Sequence, residues 1–231
     1  MTDKMWESYT EEELQMETLT PFHLPFCSDL LAKVAWLMKH LPEPPCGVLD
    51  VGNGVGWLTA WLSIAGYRID GVEPSKIAKK TAVKTLGVYG RDKYAICCYD
   101  TILDYLRLCE KESCDVVIYQ ATLHHIYEWK VDLGLSYQSL RSKGKLFLIE
   151  PGWRHAHNSK EFVKEHPGVI EQSMPPYKTV PVLRKIGFKN IKVYPNYAFM
   201  HKLCKKGVPS ILAAIAVHLY KWFDGLIIAE K

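Results

Sequence analysis

A chain of 231 residues with 48% apolar and 23% charged residues has the composition of an ordinary soluble globular protein, long enough for one domain with a substantial core or one domain plus a small cap. Its seven cysteines, an odd number without a C-x-x-C pair, argue against a disulfide framework or a zinc site and for a reducing, cytoplasmic compartment. The net charge of +4 hides an asymmetry: the chain starts with Asp3, Glu7, Glu11, Glu12, Glu13 and Glu17 against Lys4, whereas Gln172 to Phe223 holds no Asp or Glu and carries lysines that include Lys202, Lys205 and Lys206.

The first residues, Met1 to Glu7, lack the basic start and apolar run of a signal peptide. Glu11 to Thr20 reads as a helix or ordered arm, followed by Pro21-Phe22-His23-Leu24-Pro25. Apolar residues at helical spacing predict an amphipathic helix over Phe26 to Leu41, stopped by Pro42, Pro44 and Pro45. Strand one is Gly47 to Val51, a helix follows over Trp57 to Ala65, and Gly66 breaks to strand two, Arg68 to Val72. Ser75 caps a basic helix running to Leu86. Strand three lies near Tyr94 to Cys98, and Asp100 is expected to start a helix through Leu108.

Strand four, Cys114 to Tyr119, contains the unbroken apolar run Val116-Val117-Ile118, as a strand covered on both faces requires. A helix around Leu133 to Leu140 leads to strand five, Lys145 to Ile149. Trp153 to Tyr177 is a proline-containing insertion, Thr179 to Ile186 a helix, Ile191 to Tyr194 strand six and Leu226 to Ala229 the last strand. The apolar run Ile211 to Leu219 is too short to span a bilayer. It reads either as a buried helix or as a surface helix that docks on a membrane, a partner or an apolar substrate, and the lysines of 202–223 favour peripheral contact with an anionic membrane. Strands alternating with helices through short connections give an α/β, doubly wound sheet.

The most specific feature is the turn after strand one, Asp50-Val51-Gly52-Asn53-Gly54-Val55-Gly56, with Glu73 closing strand two. Glycine there tolerates positive φ and lets a ligand approach the backbone. The third glycine of a dinucleotide fingerprint would fall at Trp57, which argues against a nicotinamide dehydrogenase. At these residues the chain resembles the class I S-adenosylmethionine (SAM) dependent methyltransferases, whose first motif is an acidic residue followed by G-x-G-x-G. The segments Asp115 to Ile126 and Gly144 to Pro151 resemble the family's fourth- and fifth-strand motifs, and Gly225 to Lys231 its final strand.

The resemblance implies a Rossmann-like methyltransferase fold: a seven-stranded, mostly parallel sheet whose last strand is antiparallel and inserted beside the fifth. Residues 1–45 would form an N-terminal helical arm and helix, a candidate lid. Residues 46–231 would form the SAM-binding domain, with insertions after strands five and six near 153–177 and 200–223. It also implies a cofactor site of Asp50, Gly52, Asn53, Gly54 and Gly56, Glu73 at the ribose hydroxyls with Pro74 and Ser75 beside it, Asp100 and Thr101 near the adenine, and Gln120 at the methionine part.

The acceptor should lie beyond strands four and five. His124, His125 and His155 are candidates for a general base, since histidine titrates near neutrality. Arg154 could hold a carboxylate or phosphate, and Trp153 and His157 flank it in the same stretch; Tyr9 and His23, with Trp6 and Phe22, could form a lid. His155-x-His157 shows no further ligand, so no metal site is assigned. The expected activity is methyl transfer from SAM to oxygen or nitrogen of a small-molecule acceptor, anionic or lipid-linked. Tyr119-Gln120-Ala121-Thr122 stands where enzymes methylating base amino groups carry N-P-P-Y, which argues against nucleic acid. Aromatic residues within the basic span keep an RNA methyltransferase open, and a non-catalytic SAM-binding scaffold is the other alternative.

Overall fold

The computed structural model describes residues 6, 9–19, 27–90, 95–109 and 111–231. Its frame is a seven-stranded sheet in the order β3-β2-β1-β4-β5-β7-β6. The strands are β1 (Gly47–Val51), β2 (Arg68–Val72), β3 (Ala95–Tyr99), β4 (Cys114–Gln120), β5 (Leu140–Ile149), β6 (Lys189–Pro195) and β7 (Gly225–Glu230). The β2–β3, β1–β2, β1–β4 and β4–β5 pairs are parallel, and β7 runs antiparallel to both β5 and β6, setting Phe147 opposite Ile228 and Tyr194 opposite Leu226. This is the doubly wound, mostly parallel sheet that the sequence predicts. The helices are α1 (Glu11–Thr18), α2 (Cys27–His40), α3 (Trp57–Ile64), α4 (Lys76–Tyr89), α5 (Ile102–Leu108), α6 (Trp129–Ser139), α7 (His155–Asn158), α8 (Lys160–Glu165), α9 (Pro176–Ile186), α10 (Tyr197–Lys205) and α11 (Ser210–Tyr220).

Because strand side chains alternate between faces, a strand covered on both sides must be apolar at every position. Val116, Ile118, Phe147 and Leu226 pack on one face against Trp36 and Leu37 of α2 and Leu58 and Leu62 of α3. Val117, Tyr119, Leu148 and Ile227 pack on the other against Tyr105 of α5, Leu133 of α6 and Leu183 of α9. Each such fully buried aliphatic side chain stabilises the fold by roughly 1.5–3 kcal/mol. Strand order reverses between β1 and β4, which opens a crevice at their carboxyl ends.

Several boundaries differ from the sequence expectation for local reasons. Helix α5 starts at Ile102, and its N-cap is Thr101, whose hydroxyl accepts the Asp104 N–H at 3.1 Å; Asp100 instead pairs with Lys79. Strand β5 begins at Leu140, opposite Cys114, rather than at Lys145; the register shifts before the Val116–Lys145 pair, and the polar residues in between form an irregularity that periodicity reads as a turn. Helix α9 begins at Pro176, proline being favourable in a first helical turn where its missing N–H costs nothing. The 153–177 segment carries α7 and α8. Helix α11 is not a core helix: Ala213 and Val217 are buried, whereas Ile211 (71%), Leu212, Ile215 and Leu219 (76%) are exposed. The helix packs on α10 and β6 with Ala213 and Val217 buried, and these four apolar side chains face outward. No helix among the described residues is long and apolar enough to cross a membrane.

Candidate active site

A cavity of about 660 Å³ opens at the carboxyl ends of β1, β2 and β4. Asp50, Gly52, Asn53, Gly54, Glu73, Pro74, Asp100, Thr101, Gln120 and His125 line it, which brings together most of the residues singled out from sequence. Gly56 and Ser75 do not line it. A Cβ at Gly56 would sit 2.9 Å from the Ala82 Cβ, so this glycine lets α4 pack close to the turn. Ser75 caps α4 by accepting the Ala78 N–H at 3.2 Å.

The turn itself is shaped by three left-handed glycines, with φ of 69°, 51° and 82° at Gly52, Gly54 and Gly56. A Cβ on Gly52 would lie 2.0 Å from Thr122 Cγ2, so no larger residue fits there. A Cβ on Gly54 would meet only Trp6 Cζ2, at 3.7 Å; the turn is open on that side. Across the crevice Ala121, also lining the cavity, has φ of 53°, a strained value for a residue with a side chain. Its N–H is held by the Ile149 carbonyl at 3.0 Å, while the Thr122 hydroxyl donates to the Gly52 carbonyl at 3.1 Å.

Two buried carboxylates sit under this turn. Glu73 is 3% exposed; its Oε2 accepts the Gly54 N–H at 3.0 Å and its Oε1 the Ser75 N–H at 2.9 Å. Burial pushes its pKa up, partly offset by those two backbone donors. Asp50 accepts the Thr59 hydroxyl at 2.7 Å, and burial, with the Glu73 charge adding to it, raises its pKa to about 6. Asp132 of α6, another lining residue, is also raised to about 6 by burial. Lys33 of α2 lines the cavity too, and burial lowers its pKa against the opposing pull of Asp224 and Asp29. With Glu17, Asp29, Asp50, Glu73, Asp100 and Asp132 around a single lysine among the described residues, the lining favours a cationic ligand.

Trp6 forms the roof. It is 6% exposed, packs with Leu14, Val55, Ala78 and Val169, and stands edge-on to Tyr9. Its indole N–H is buried and without a hydrogen-bond partner among the described residues. The N-terminal arm therefore reaches over the glycine turn to the 153–177 insertion. Tyr9 supports Trp6 without lining the cavity, and His23 and Phe22 lie outside the described residues.

The histidines gather where β4 and β5 end. His124 Nδ1 lies 2.7 Å from Glu150 Oε2, and because a carboxylate only accepts, Nδ1 carries the proton. Glu150 also accepts the Thr122 and Leu123 N–H groups, both at 2.9 Å. Burial would raise the Glu150 carboxyl, but the His124 contact and these donors outweigh it and hold it low. His125 donates Nδ1–H to the Ile170 carbonyl at 2.8 Å; burial and the neighbouring His124 lower its pKa to about 4. Glu171 stands among three histidines, 2.5 Å from His155 Nε2, 3.6 Å from His124 Nε2 and 3.5 Å from His125 Nδ1.

Trp153, Arg154 and His157 are exposed and do not line the cavity; the Arg154 guanidinium stacks over the Trp153 ring at 4.8 Å, and the Trp153 indole N–H donates to the Tyr220 hydroxyl. Lys33, Asp132 and Glu171 escaped the sequence reading. The i, i+4 spacing of Asp29 and Lys33 was the available signal for the first; Glu171 is a lone acid in a proline-containing insertion and gave none.

A family model described as a methyltransferase domain matches residues 23–193. Mouse (Mus musculus) ubiquinone biosynthesis O-methyltransferase, a mitochondrial protein, is 26% identical over 151 residues, which cover 62% of this chain and 39% of that one. The chain thus spans about two fifths of the length of the curated relatives it matches. Among solved structures, the Haemonchus contortus phosphoethanolamine N-methyltransferase 2 in complex with SAM superposes with a TM-score of 0.68 at 16% identity, covering 100% of this chain and 60% of that one. A SAM-dependent methyltransferase from Archaeoglobus fulgidus gives a TM-score of 0.63 at 16% identity, covering 88% and 94%.

Proposed function

The chain belongs to the methyltransferase-domain family, and on that premise we propose that it moves a methyl group from SAM to an oxygen or nitrogen of a small-molecule acceptor. The cofactor, when bound, supplies a methyl group on a sulfonium, so the reaction is a displacement at carbon that needs alignment more than new chemistry. One observation carries this reading: the cavity at the switch point is walled by the open glycine turn and by the buried Glu73 carboxylate bonded to it.

The residues present fit that cofactor. A carboxylate oxygen has two lone pairs, and Glu73 uses one on each oxygen for Gly54 and Ser75, which leaves one on each for a pair of ribose hydroxyls. The Trp6 ring lines the cavity with Cζ2 toward the glycine turn, and its indole N–H, buried in the wall, is without a partner among the described residues. Asp50 and the surrounding acids favour the positive charge of a sulfonium and an amino group; of the other lining residues, Asp100 and Thr101 would hold the nucleobase and Gln120 the methionine part. Trp6, held by Leu14 and Val169, excludes water from the reacting centre. On the acceptor side His125 borders the cavity and, with Nδ1–H committed to Ile170, offers Nε2 to accept a hydrogen bond from the acceptor. Lys33 offers one cationic contact to an acidic group on that acceptor.

The α11 surface supports an acceptor carried in, or delivered from, an anionic lipid surface. Ile211, Leu212, Ile215 and Leu219 are exposed on one helix, and the exposed Lys205 and Lys206 precede it. Calorimetry with S-adenosylhomocysteine tests the core of the proposal: one-to-one binding is expected, and no binding of that product or of SAM ends it.

A further inference from the structure

We infer that His124, His155 and Glu171 form a binding site for one divalent transition-metal ion, beside the acceptor end of the cavity. His124 Nε2, His155 Nε2 and a Glu171 carboxylate oxygen all lie within 4.8 Å of one another. Ligands at about 2.0–2.2 Å in a tetrahedral site sit roughly 3.3–3.6 Å apart. The His124–Glu171 distance of 3.6 Å already matches that separation. The His155–Glu171 contact, at 2.5 Å, has to open by less than about 1 Å. His155 can supply that movement, since it stands on the short helix α7 with its side chain 28% exposed, whereas His124 and Glu171 are 5% and 7% exposed.

The surroundings are built as ligand-holding shells are built. Glu150, buried and fixed by backbone donors from Thr122 and Leu123, takes the Nδ1 proton of His124. That fixes the tautomer in which Nε2 presents its lone pair toward Glu171, the carboxylate–histidine arrangement that orients metal ligands. Two imidazoles and one carboxylate leave a coordination position for water or for an oxygen of a bound molecule. The site's edge toward the cavity is His125, whose ring lies tilted against His124 with centroids 3.8 Å apart. Sequence alone pairs His155 with His157; the fold replaces His157, which is exposed, with His124 and Glu171, contributed from beyond β4 and from the insertion.

The ion site stands on its own geometry; only its role toward the acceptor rests on the methyl-transfer reading. The test uses the full chain, freed of any histidine tag and stripped with chelator. It is titrated with zinc chloride by calorimetry and with cobalt chloride by visible absorption. Expected are one equivalent of ion, a cobalt spectrum with d–d bands and no thiolate charge-transfer band, and zinc affinity about 100-fold weaker or worse in both His155→Ala and Glu171→Gln. Absence of saturable binding, a thiolate spectrum, or affinity unchanged in both variants overturns the proposal. If a variant fails to fold, the cobalt-loaded wild-type chain decides by NMR: hyperfine-shifted imidazole protons from two histidines support the site, and their absence overturns it. Binding of S-adenosylhomocysteine is measured on the same samples. Ion binding without nucleoside binding would remove the methyl-transfer reading alone, and the converse would remove the ion site alone.

Discussion

The Glu73 carboxylate accepts the Gly54 backbone N–H at 3.0 Å, tying the acid that closes β2 to the glycine turn that follows β1. Its other oxygen accepts Ser75 N–H at the start of α4, so one buried side chain fixes three segments of the cavity wall. A group so placed serves both shape and recognition, and substitution can separate the two. Glu73→Gln keeps the volume and one acceptor but loses the charge-assisted bonds, each worth about 1.5–3 kcal/mol. Affinity for S-adenosylhomocysteine, read by calorimetry, should fall on the order of 10–100-fold while the circular dichroism spectrum is kept. An affinity within twofold of the wild type would remove the ribose assignment.

Gly52 and Gly54 should respond differently to alanine. At Gly52 the new Cβ would collide with Thr122 at 2.0 Å, and no rotation of a threonine methyl removes contacts that also involve its Cβ and Oγ1. Gly52→Ala should lower the unfolding free energy by several kcal/mol, that is, more than about 3. At Gly54 the Cβ would make only an ordinary contact with Trp6 Cζ2, so the cost is the left-handed backbone, roughly 1 kcal/mol. Both should lose nucleoside binding. Urea unfolding that gave equal losses for the two variants would contradict this account of the turn.

Trp6→Phe keeps an aromatic ring against Leu14 and Val169 and deletes the unspent indole N–H. If that donor meets the bound nucleoside, affinity should drop about 3–10-fold, the equivalent of one neutral hydrogen bond. Stability should fall by on the order of 1 kcal/mol, because the smaller ring leaves a void against Leu14 and Val169 although no hydrogen bond among the described residues is lost. Unchanged affinity would leave Trp6 as a cover only.

Asp50 gives a pH dependence of definite sign. Its pKa rises from an ordinary 3.8 to about 6 in the folded chain, through burial and the Glu73 charge. Below the lower value the group is protonated in both states and costs nothing. As pH climbs between the two values the unfolded chain releases its proton first, so stability falls; above about 6 the penalty is complete. Asp50→Asn keeps an acceptor for Thr59 and removes the ionisation. The variant should therefore match the wild type near pH 4 and exceed it by roughly 1–3 kcal/mol near pH 7. A stability difference independent of pH in urea titrations would show that the Asp50 carboxylate is not the source.

The exposed ridge of α11 is testable by vesicle flotation. The chain should float with vesicles rich in phosphatidylserine, float poorly with phosphatidylcholine alone, and lose the interaction in high salt. Ile211→Ser combined with Leu219→Ser should abolish flotation and leave nucleoside binding intact, since both side chains are more than two thirds exposed. Equal recovery of that double variant with the vesicles would show that α11 does not meet lipid.

Much of this protein is written locally. The unbroken Val116-Val117-Ile118 run, the three glycines after Asp50 and the acid closing β2 each report a backbone or burial requirement satisfied within a few residues, so the order of elements and the position of the cavity follow from the sequence. Tertiary structure decided what depends on distant partners. Glu171 gains meaning only because the insertion folds back and sets it among His124, His125 and His155, from segments some 16 to 47 positions away. The apolar run of α11 fits a buried helix or a surface helix in isolation; its neighbours bury just Ala213 and Val217, because burial belongs to the packing around a helix and not to its composition. Likewise Thr101 rather than Asp100 caps α5, since the choice turns on which residue has extended backbone at the junction.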